Sequence, residues 1–460
     1  MRVLHVIAQL PARTGSGIYF RNLIDELASF GHEQAAIFAL QDDFSFSSVG
    51  ECVQSSARSK RSEATRGFEG GNPLRFREYP VRFKTPALPF PVVGMSDVMP
   101  YESTRYADLD EDMLDAWQSA FQCTLHKTKQ DFQPELIISH HLWLLTALVV
   151  QAFPDCPKIA VCHNTEFRQA ELCPELKANH VTHLDQLDLV FSLSEDQNQK
   201  IAKVFTVVPS DIVVAGAGFN QNYFFPPDQI AYTGKTINIV YAGKIAQAKG
   251  VYELIPAFEK LDALWQEQQK QQKQQKQQEQ GGDSNGPQPK LHLNIVGDPQ
   301  GSDATAFNRL IAGKSNITLL PAMNQKELGD FFRTQDIFVL PSYFEGMPLI
   351  VLEALACGMR VVSTEADALI RLLGDEIAES GVIEYVKLPR LHTIDKPHEE
   401  DIGQFTEELA QKIYLQARRA AHKQALPQKV LQSISNHSWK NLAGKVDEQI
   451  RITLSRAANS

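Results

Sequence analysis

The sequence predicts an α/β fold with two doubly wound parallel sheets, and three observations indicate it. Short apolar runs rich in β-branched residues alternate with helical patterns, and this alternation occurs twice along the chain. At 460 residues the chain also exceeds what one hydrophobic core usually serves. We therefore expect two Rossmann-like domains facing each other across a cleft that lies outside the carboxyl ends of both sets of strands.

The first domain is predicted over residues 1–220, and the chain enters it directly with a strand. Mostly helical segments separate its strands. The predicted strands lie at residues 3–8, 34–40, 136–139, 158–162, 187–194 and 212–215.

The second domain is predicted over residues 221–435, after a hinge near 220–236 where aromatic residues, prolines and a glycine lie between two strands. A helix over 436–460, with apolar residues at helical spacing, ends the chain. The predicted strands of the second domain lie at residues 237–242, 291–296, 317–320, 336–340, 360–363 and 382–386.

Two insertions interrupt this pattern. The Gln/Lys tract at 266–290 has no means to bury a core, so it is a solvated loop or a helical extension. The other insertion, at about 41–106, contains eight Lys or Arg against three Glu over residues 58–84. This basic run is a flexible solvated face, or it contacts a substrate or anionic lipid.

Composition excludes several classes of protein. With 45 Lys and Arg against 55 Asp and Glu, the chain lacks the basic footprint of a nucleic-acid-binding protein. Its six scattered cysteines, without a C-x-x-C pair, indicate a reducing compartment. The N-terminus lacks signal-peptide features and no apolar stretch reaches membrane-spanning length, so we expect a cytoplasmic protein. Peripheral attachment to the inner face of a membrane stays open.

Two glutamates in one short segment are the most informative feature of the sequence. The run DIFVL at 336–340 predicts a buried parallel strand, Pro348 fits the first helical position, and Gly358 fits the residue just past the helix end. Glu345 then lies in the strand-to-helix loop, and Glu353 lies inside an almost wholly apolar helix. Burying a lone carboxylate there is costly, so ligand hydroxyls or a neighbouring Arg or Lys must lie nearby.

The spacing of these glutamates, with Gly-x-Pro after the first, resembles the signature of retaining glycosyltransferases of family 4. The resemblance implies the GT-B architecture, with an acceptor-side first domain and a second domain that binds a nucleotide sugar. The basic run at 58–84 is then either a solvated face or a contact for the acceptor or anionic lipid. The resemblance also implies that the terminal helix, 436–460, packs back toward the first domain. It also implies that Glu345 contacts the donor sugar, with Gly346 and Met347 in the same donor-binding loop, and that Glu353 holds the ribose hydroxyls. The alternative is a structural Glu353 in a core ion pair, with Glu345 only capping the helix.

A basic pair follows the first strand of the second domain. Lys244 and Lys249 flank a loop that opens a helix, where ammonium groups and helix amides together stabilise a departing nucleoside diphosphate. In the family an arginine follows the glycine at this point, whereas this chain has Lys244. A lysine cannot form the bidentate contact of an arginine. The alternative is an ordinary pair of surface lysines before a helix.

A glycine-containing loop follows the first strand of the chain. Gly15, Ser16 and Gly17 lie just ahead of an amphipathic helix, but the third glycine of the dinucleotide-binding fingerprint is missing, so a dehydrogenase gains little support. In the family, the corresponding loop closes over the donor. The resemblance therefore assigns these three residues to donor binding.

Three histidines lie at predicted strand ends. The family has a histidine near the donor sugar at the position of His163, and the resemblance assigns His163 an orienting or polarising role there. We predict that His140 and His141 line the acceptor side. The alternative for each is a satisfied packing histidine.

We expect no metal site. Cys156, Cys162, His163 and Cys173 match no zinc spacing. The run DLDEDMLD contains D-x-D twice, but acids at the start of a predicted helix are explained by capping and by the helix dipole.

The sequence predicts a retaining, metal-independent glycosyltransferase that uses a nucleotide-sugar donor, a UDP-sugar by default, and an unidentified glycan, lipid or small-molecule acceptor. No cofactor is expected. A glycoside phosphorylase or sugar-nucleotide epimerase on the same fold is the enzymatic alternative. A non-catalytic sugar-nucleotide-binding protein is the alternative from another class.

Overall fold

The computed structural model describes residues 1–11, 14–41, 76–97, 99–227, 235–278, 289–299, 301–345, 348–393, 396–422 and 426–457. The chain forms two compact units. One comprises Met1–Ala217 with Trp439–Ser460, and the other comprises Gly218–Ser438. The units therefore end at residues 217 and 438, beside the predicted ends at 220 and 435.

The first unit is built on a seven-stranded parallel sheet of order β3-β2-β1-β6-β7-β8-β9, with a separate two-stranded pair, β4 and β5. Buried apolar residues line its central strands. The strands are Arg2–Ile7 (β1), Glu33–Leu40 (β2), Arg77–Arg82 (β3), Val93–Gly94 (β4), Thr104–Arg105 (β5), Leu136–His140 (β6), Lys158–Val161 (β7), Leu189–Ser192 (β8) and Ile212–Val214 (β9).

Helices lie between most of the strands whose connections the structure describes, as parallel neighbours require. The second of them is capped by Asp110, whose carboxylate accepts from the Met113 N–H at 2.8 Å, so the capping explanation of the D-x-D run is confirmed. The helices are Gly15–Ser29 (α1), Glu111–Asp131 (α2), Leu144–Ala152 (α3), Thr165–Leu172 (α4), Pro174–His180 (α5) and Glu195–Phe205 (α6).

The second unit contains a six-stranded parallel sheet of order β12-β11-β10-β13-β14-β15 and a small antiparallel pair, β16 and β17. The strand order reverses between β10 and β13, which makes their carboxyl ends the topological switch point. The strands are Thr236–Ala242 (β10), Lys290–Val296 (β11), Ile317–Leu320 (β12), Ile337–Leu340 (β13), Arg360–Thr364 (β14), Ile383–Val386 (β15), Leu391–Thr393 (β16) and Lys396–Pro397 (β17).

Helices again follow the strands of this unit. The first runs on to Gln278, so the described beginning of the Gln/Lys tract is a helical extension. The helices are Val251–Gln278 (α7), Gly301–Ile311 (α8), Gln325–Phe332 (α9), Leu349–Ala356 (α10), Asp367–Ala378 (α11), Glu399–Ala421 (α12) and Gln428–Ser435 (α13).

Strand β3 was not predicted, because it lies in the segment interpreted as an insertion. Its sequence, REYPVR, carries three charges and a proline, and so lacks the apolar character of the other strands. It lies at the sheet edge and pairs only with β2, where a proline and charged side chains are tolerated. Residues 42–75, with most of the basic run, lie outside the described residues.

The last helix of the chain, Trp439–Ala457 (α14), belongs to the first unit and packs on α1. The Trp439 ring meets the Tyr19 ring edge to face at 4.8 Å. Further along, Asp447 Oδ1 lies 2.7 Å from His32 Nε2 in a buried pair. The terminal helix is thus part of the core of the first unit.

Two turns meet at the switch point of the second sheet. One is the single 3-10 turn Gln247–Lys249, which precedes α7, and the other follows β13. The Tyr343 N–H donates to the Ala248 carbonyl at 3.0 Å. Gly250 has a φ of +60°, and a Cβ there would overlap the Pro341 carbonyl oxygen. Glycine therefore permits the approach of the two turns.

We expect Gly250→Ala to destabilise the second unit more than Gly313→Ala. Both glycines have left-handed backbone, which costs an alanine about 1–2 kcal/mol, but Gly313 has open space around it. Only Gly250 adds the overlap with Pro341, worth about 1–3 kcal/mol. Hydrogen exchange of peptides from the second unit measures the difference. Equal loss of protection in the two variants would contradict the close approach.

Trp439→Ala should lower the stability of the first unit by about 3–5 kcal/mol, because it removes a large side chain that is 1% exposed. Ile452→Ala, on the same helix but at an exposed position, is the matched control and should change stability by less than about 0.5 kcal/mol. Hydrogen exchange reports each unit separately. Equal hydrogen-exchange protection of β1 and α1 in the two variants would contradict the packing of α14 on α1.

Candidate functional site

An ion pair joins the two turns at the switch point of the second sheet. Lys249 Nζ lies 2.8 Å from Glu345 Oε1, and the two side chains are 28% and 16% exposed. Lys249 comes from the turn after β10, and Glu345 comes from the loop after β13. The structure therefore brings together two residues that the sequence assigned separately to the donor.

Lys244 lies at the beginning of the same loop as Lys249. The buried Tyr241 hydroxyl donates to the Lys244 carbonyl at 2.6 Å, which fixes the backbone. Lys244 itself is exposed. No carboxylate of the described residues forms an ion pair with Lys244. Its ammonium group is thus available to an anionic ligand.

Glu353 is buried in α10 with little to satisfy its charge. Its residue is 9% exposed, and burial raises the pKa of its carboxyl to about 7. Its side chain has a long contact with Gln325, whose Nε2 lies 3.5 Å from Oε1. Among the described residues no cation pairs with Glu353, so the expected Arg or Lys neighbour and the core ion pair are both absent from this part of the chain.

The loop between these glutamates is only partly described, because Gly346 and Met347 lie outside the described residues. The helix begins at Leu349, so the prediction that Pro348 takes the first helical position is wrong by one residue. Pro348 is the N-cap, with a φ of −80° and a ψ of 76°, and it makes no side-chain cap hydrogen bond. Gly358, with a φ of +81°, follows the helix end as predicted.

A buried acid that the sequence did not single out supports the Lys249 turn. Glu253, in the first turn of α7, is 5% exposed and accepts from Gln247 Nε2 at 3.0 Å. Burial raises the pKa of Glu253, and the neighbouring Tyr343 hydroxyl opposes that rise. Gln247 and Tyr343 belong to the two turns of the switch point. An acid in a first helical turn is common, so the sequence carried no distinct signal for this role.

The loops after β11 and β12 complete the carboxyl edge of this sheet. The Ala322 N–H donates to Asp298 Oδ1 at 3.3 Å, and the Gly297 N–H donates to the Leu320 carbonyl at 3.0 Å. A Cβ on Gly297 would overlap the Gly243 carbonyl oxygen. The four loops of this edge therefore lie in contact with one another.

In the first unit, the glycine-containing loop forms the beginning of α1. Thr14 is the N-cap and accepts from the Gly17 N–H at 3.0 Å. Gln9 Nε2 donates to Ser16 Oγ at 2.6 Å and to Thr14 Oγ1 at 3.0 Å. Gly15 has open space around it. The buried Gln9, which the sequence did not indicate, thus fixes the loop.

The three strand-end histidines form one cluster. His140 Nδ1 lies 3.0 Å from His163 Nε2, their rings stack with centroids 5.2 Å apart, and the His141 ring lies 4.8 Å from that of His163. His140 and His141 are buried, whereas His163 is partly exposed. Burial lowers the pKa of both His140 and His163 well below 6.5. Neighbouring histidine charges lower it further, those of His5 and His141 for His140 and those of His141 and His140 for His163.

Glu166 lies beside this cluster, and the sequence analysis did not single it out either. It is fully buried, and its Oε1 accepts from the backbone N–H groups of His163 at 2.9 Å and Leu142 at 3.2 Å. Its Oε2 lies 3.5 Å from His141 Nδ1. Burial alone would raise the pKa of Glu166, but the hydrogen bond and charge of His141 and the charge of His163 hold it at about 2. The only sequence signal was an acid three residues after His163.

Chemically, the second unit offers ammonium groups, the beginning of a long helix and two carboxylates at one sheet edge. This set suits a ligand with a diphosphate and several hydroxyl groups. Within the described residues no three His, Cys, Asp or Glu side chains form a set that could hold a metal ion. In the same residues no helix is long and apolar enough to cross a bilayer.

Comparison with known proteins agrees with this geometry. Residues 236–385 match the family model described as glycosyl transferases group 1. D-inositol 3-phosphate glycosyltransferase from Pseudarthrobacter chlorophenolicus is 30% identical over 141 residues, which cover 30% of this chain and 29% of that protein. The chain thus matches less than a third of the length of this curated relative.

Solved structures show the same fold at low sequence identity. Sucrose-phosphate synthase from Thermosynechococcus elongatus has a TM-score of 0.59 at 14% identity, covering 99% of both chains. HepE from Anabaena, solved with UDP-glucose, has a TM-score of 0.56 at 13% identity, covering 99% of this chain and 100% of that one. The matched segment is accordingly similar to group 1 glycosyl transferases, as the resemblance to family 4 implied, and the chain has the GT-B fold.

Proposed function

We propose that the protein is a retaining, metal-independent glycosyltransferase that moves a sugar from a nucleotide-sugar donor to a glycan, lipid or small-molecule acceptor. The observation that carries the proposal is the Lys249–Glu345 pair at the switch point, with exposed Lys244 on the same loop. Glu353 is buried, and no cation of the described part of the chain pairs with it. Ligands of open α/β sheets bind at this position.

A nucleotide-sugar donor carries the charges and hydroxyl groups that these side chains can bind. Its diphosphate takes the ammonium groups of Lys244 and Lys249 and the first amides of α7, which stabilise the charge that develops as the diphosphate leaves. Its ribose hydroxyls donate to Glu353, whose carboxylate has no short hydrogen bond from a side chain among the described residues. Glu345 binds a hydroxyl of the sugar. From the first unit, the resemblance adds His163 as a group that orients the sugar.

No side chain is an evident covalent nucleophile, so both bond changes are proposed on one face of the sugar, as the resemblance implies. The bond from the anomeric carbon to the diphosphate oxygen breaks, and a bond from the same carbon to the acceptor oxygen forms. The acceptor proton passes to the departing phosphate oxygen. Retention of configuration follows.

The donor is proposed to be a UDP-sugar. The fold shared with HepE, whose structure contains UDP-glucose, supports this choice. We place the reaction in the cytoplasm, and contact with the inner face of a membrane belongs to the same proposal.

Lys249→Ala should reduce turnover by about 10²–10³, because it removes a charge aimed at the leaving group. The donor is first identified by thermal shift with UDP, GDP, ADP and their common sugar conjugates in buffer with EDTA. Release of the nucleotide is then followed with and without candidate acceptors. Lys326→Ala removes an exposed lysine that pairs with Asp330 and should leave turnover unchanged. Unaltered kinetics in Lys249→Ala would refute the assignment.

Nucleotide affinity should depend on pH through Glu353. Its raised pKa keeps the carboxyl protonated below pH 7 in the free protein, whereas ribose hydroxyls favour the ionised form. Binding therefore releases a proton, and affinity should fall about tenfold per pH unit below about pH 7. Titration calorimetry in two buffers of different ionisation enthalpy measures the proton. Glu353→Gln should bind more weakly at pH 8 and show a flat pH profile; a profile like that of the wild type would exclude this role.

A further inference from the structure

Glu166 is a fully buried carboxylate of the first unit to which neither the resemblance nor the fold gives a role. Its Oε1 ties two loops together, because it accepts from the Leu142 N–H after β6 and from the His163 N–H after β7. A buried carboxylate is tolerated only where such donors meet it. The two loops that carry the histidine cluster are therefore held at one point.

The loop after β6 needs this fixation, because His141 has a φ of +72°, which is uncommon outside glycine. Thr146 Oγ1 donates to the His141 carbonyl, and Ser139 Oγ pairs with Thr146 Oγ1 at 2.6 Å. The Leu142 N–H to Glu166 bond closes the turn on its other side. His140 and His141 are thereby held against the His163 ring.

The contact between His140 Nδ1 and His163 Nε2 at 3.0 Å holds one hydrogen between two neutral rings. His140 Nε2 is buried without a partner. A buried N–H without an acceptor is costlier than a buried lone pair without a donor, so His140 carries its hydrogen on Nδ1 and donates it to His163. His163 Nε2 is then the acceptor, and its own hydrogen lies on Nδ1.

We propose that Glu166 is a positioning residue which, together with His140, presents His163 as a neutral imidazole whose Nδ1–H donates to a hydroxyl oxygen of the donor sugar. This inference rests on the proposed function. The Nδ1 atom pairs with no group among the described residues, and His163 is partly exposed. In this tautomer neither ring nitrogen can take the acceptor proton, so His163 orients the sugar and is no general base.

The tautomer is measured without any ligand, by two-dimensional ¹H–¹⁵N NMR of protein with ¹⁵N-labelled histidine rings, with His163 assigned through His163→Gln. At pH 7.5 we expect a neutral His163 with its hydrogen on Nδ1. Glu166→Gln keeps the length and an acceptor oxygen for both amides and should retain this tautomer. Glu166→Asp keeps the charge, but it is too short to reach both amides and should show a mixture of tautomers.

Gln169→Asn is the matched control. Gln169 is buried on the same helix and donates to the Met95 carbonyl at 3.1 Å, so shortening it perturbs the packing of α4 without touching the cluster. Its His163 signals should equal those of the wild type. Hydrogen on Nε2 or a charged His163 in the wild type, or unchanged signals in Glu166→Asp, would overturn the inference. Change in Glu166→Gln alone would show a charge effect instead and would also overturn it.

The sugar contact is tested by the ratio of the dissociation constants for UDP and UDP-glucose, or for whichever nucleotide pair shifts the melting temperature. In Glu166→Asp the preference for the sugar conjugate over UDP should fall about three- to tenfold, which is the contribution of one hydrogen bond. The affinity for UDP should not change. An unchanged ratio would refute the sugar contact. If the wild type binds no nucleotide, the proposed function fails, and the tautomer measurement still decides the positioning by Glu166.

Discussion

The contact between the turn before α7 and the loop after β13 is the constraint on which the candidate site of the second unit depends. Parallel neighbours β10 and β13 end at the same edge of the sheet, so their loops must share one place. Gly250 lets the two backbones touch at Pro341, and the bond from Tyr343 to Ala248 fixes their register. The positions of Lys249 and Glu345 follow from these backbone contacts.

The ion pair between Lys249 and Glu345 contributes little to folding. At 28% and 16% exposure, such a pair is worth about 1 kcal/mol or less, so breaking it to bind the proposed diphosphate would cost little. Glu353 is the opposite case, because burial holds its pKa near 7 and ionising it opposes folding. Charges arranged against stability in this way are typical of functional sites.

In the first unit, the strand order also reverses between neighbours, here β1 and β6. The beginning of α1 and the loop of His140 therefore come together, and the Tyr19 ring lies 5.2 Å from that of His163. Here the groups that are costly to bury are several imidazoles and the carboxylate beside them. The low pKa values of His140 and His163 make these rings neutral hydrogen-bonding groups near pH 7.

By itself, the sequence determined the two doubly wound sheets, the Asp110 cap and the resemblance to family 4, because apolar periodicity, capping and motif spacing are local in the chain. It did not determine β3, whose charged edge sequence resembles a loop, nor the absence of a cation beside Glu353 among the described residues. The roles of Gln9, Glu166 and Glu253 were decided only by the tertiary structure. The role of each residue depends on hydrogen-bond partners that come from another element, and the order of strands in the sheet decides which elements are neighbours.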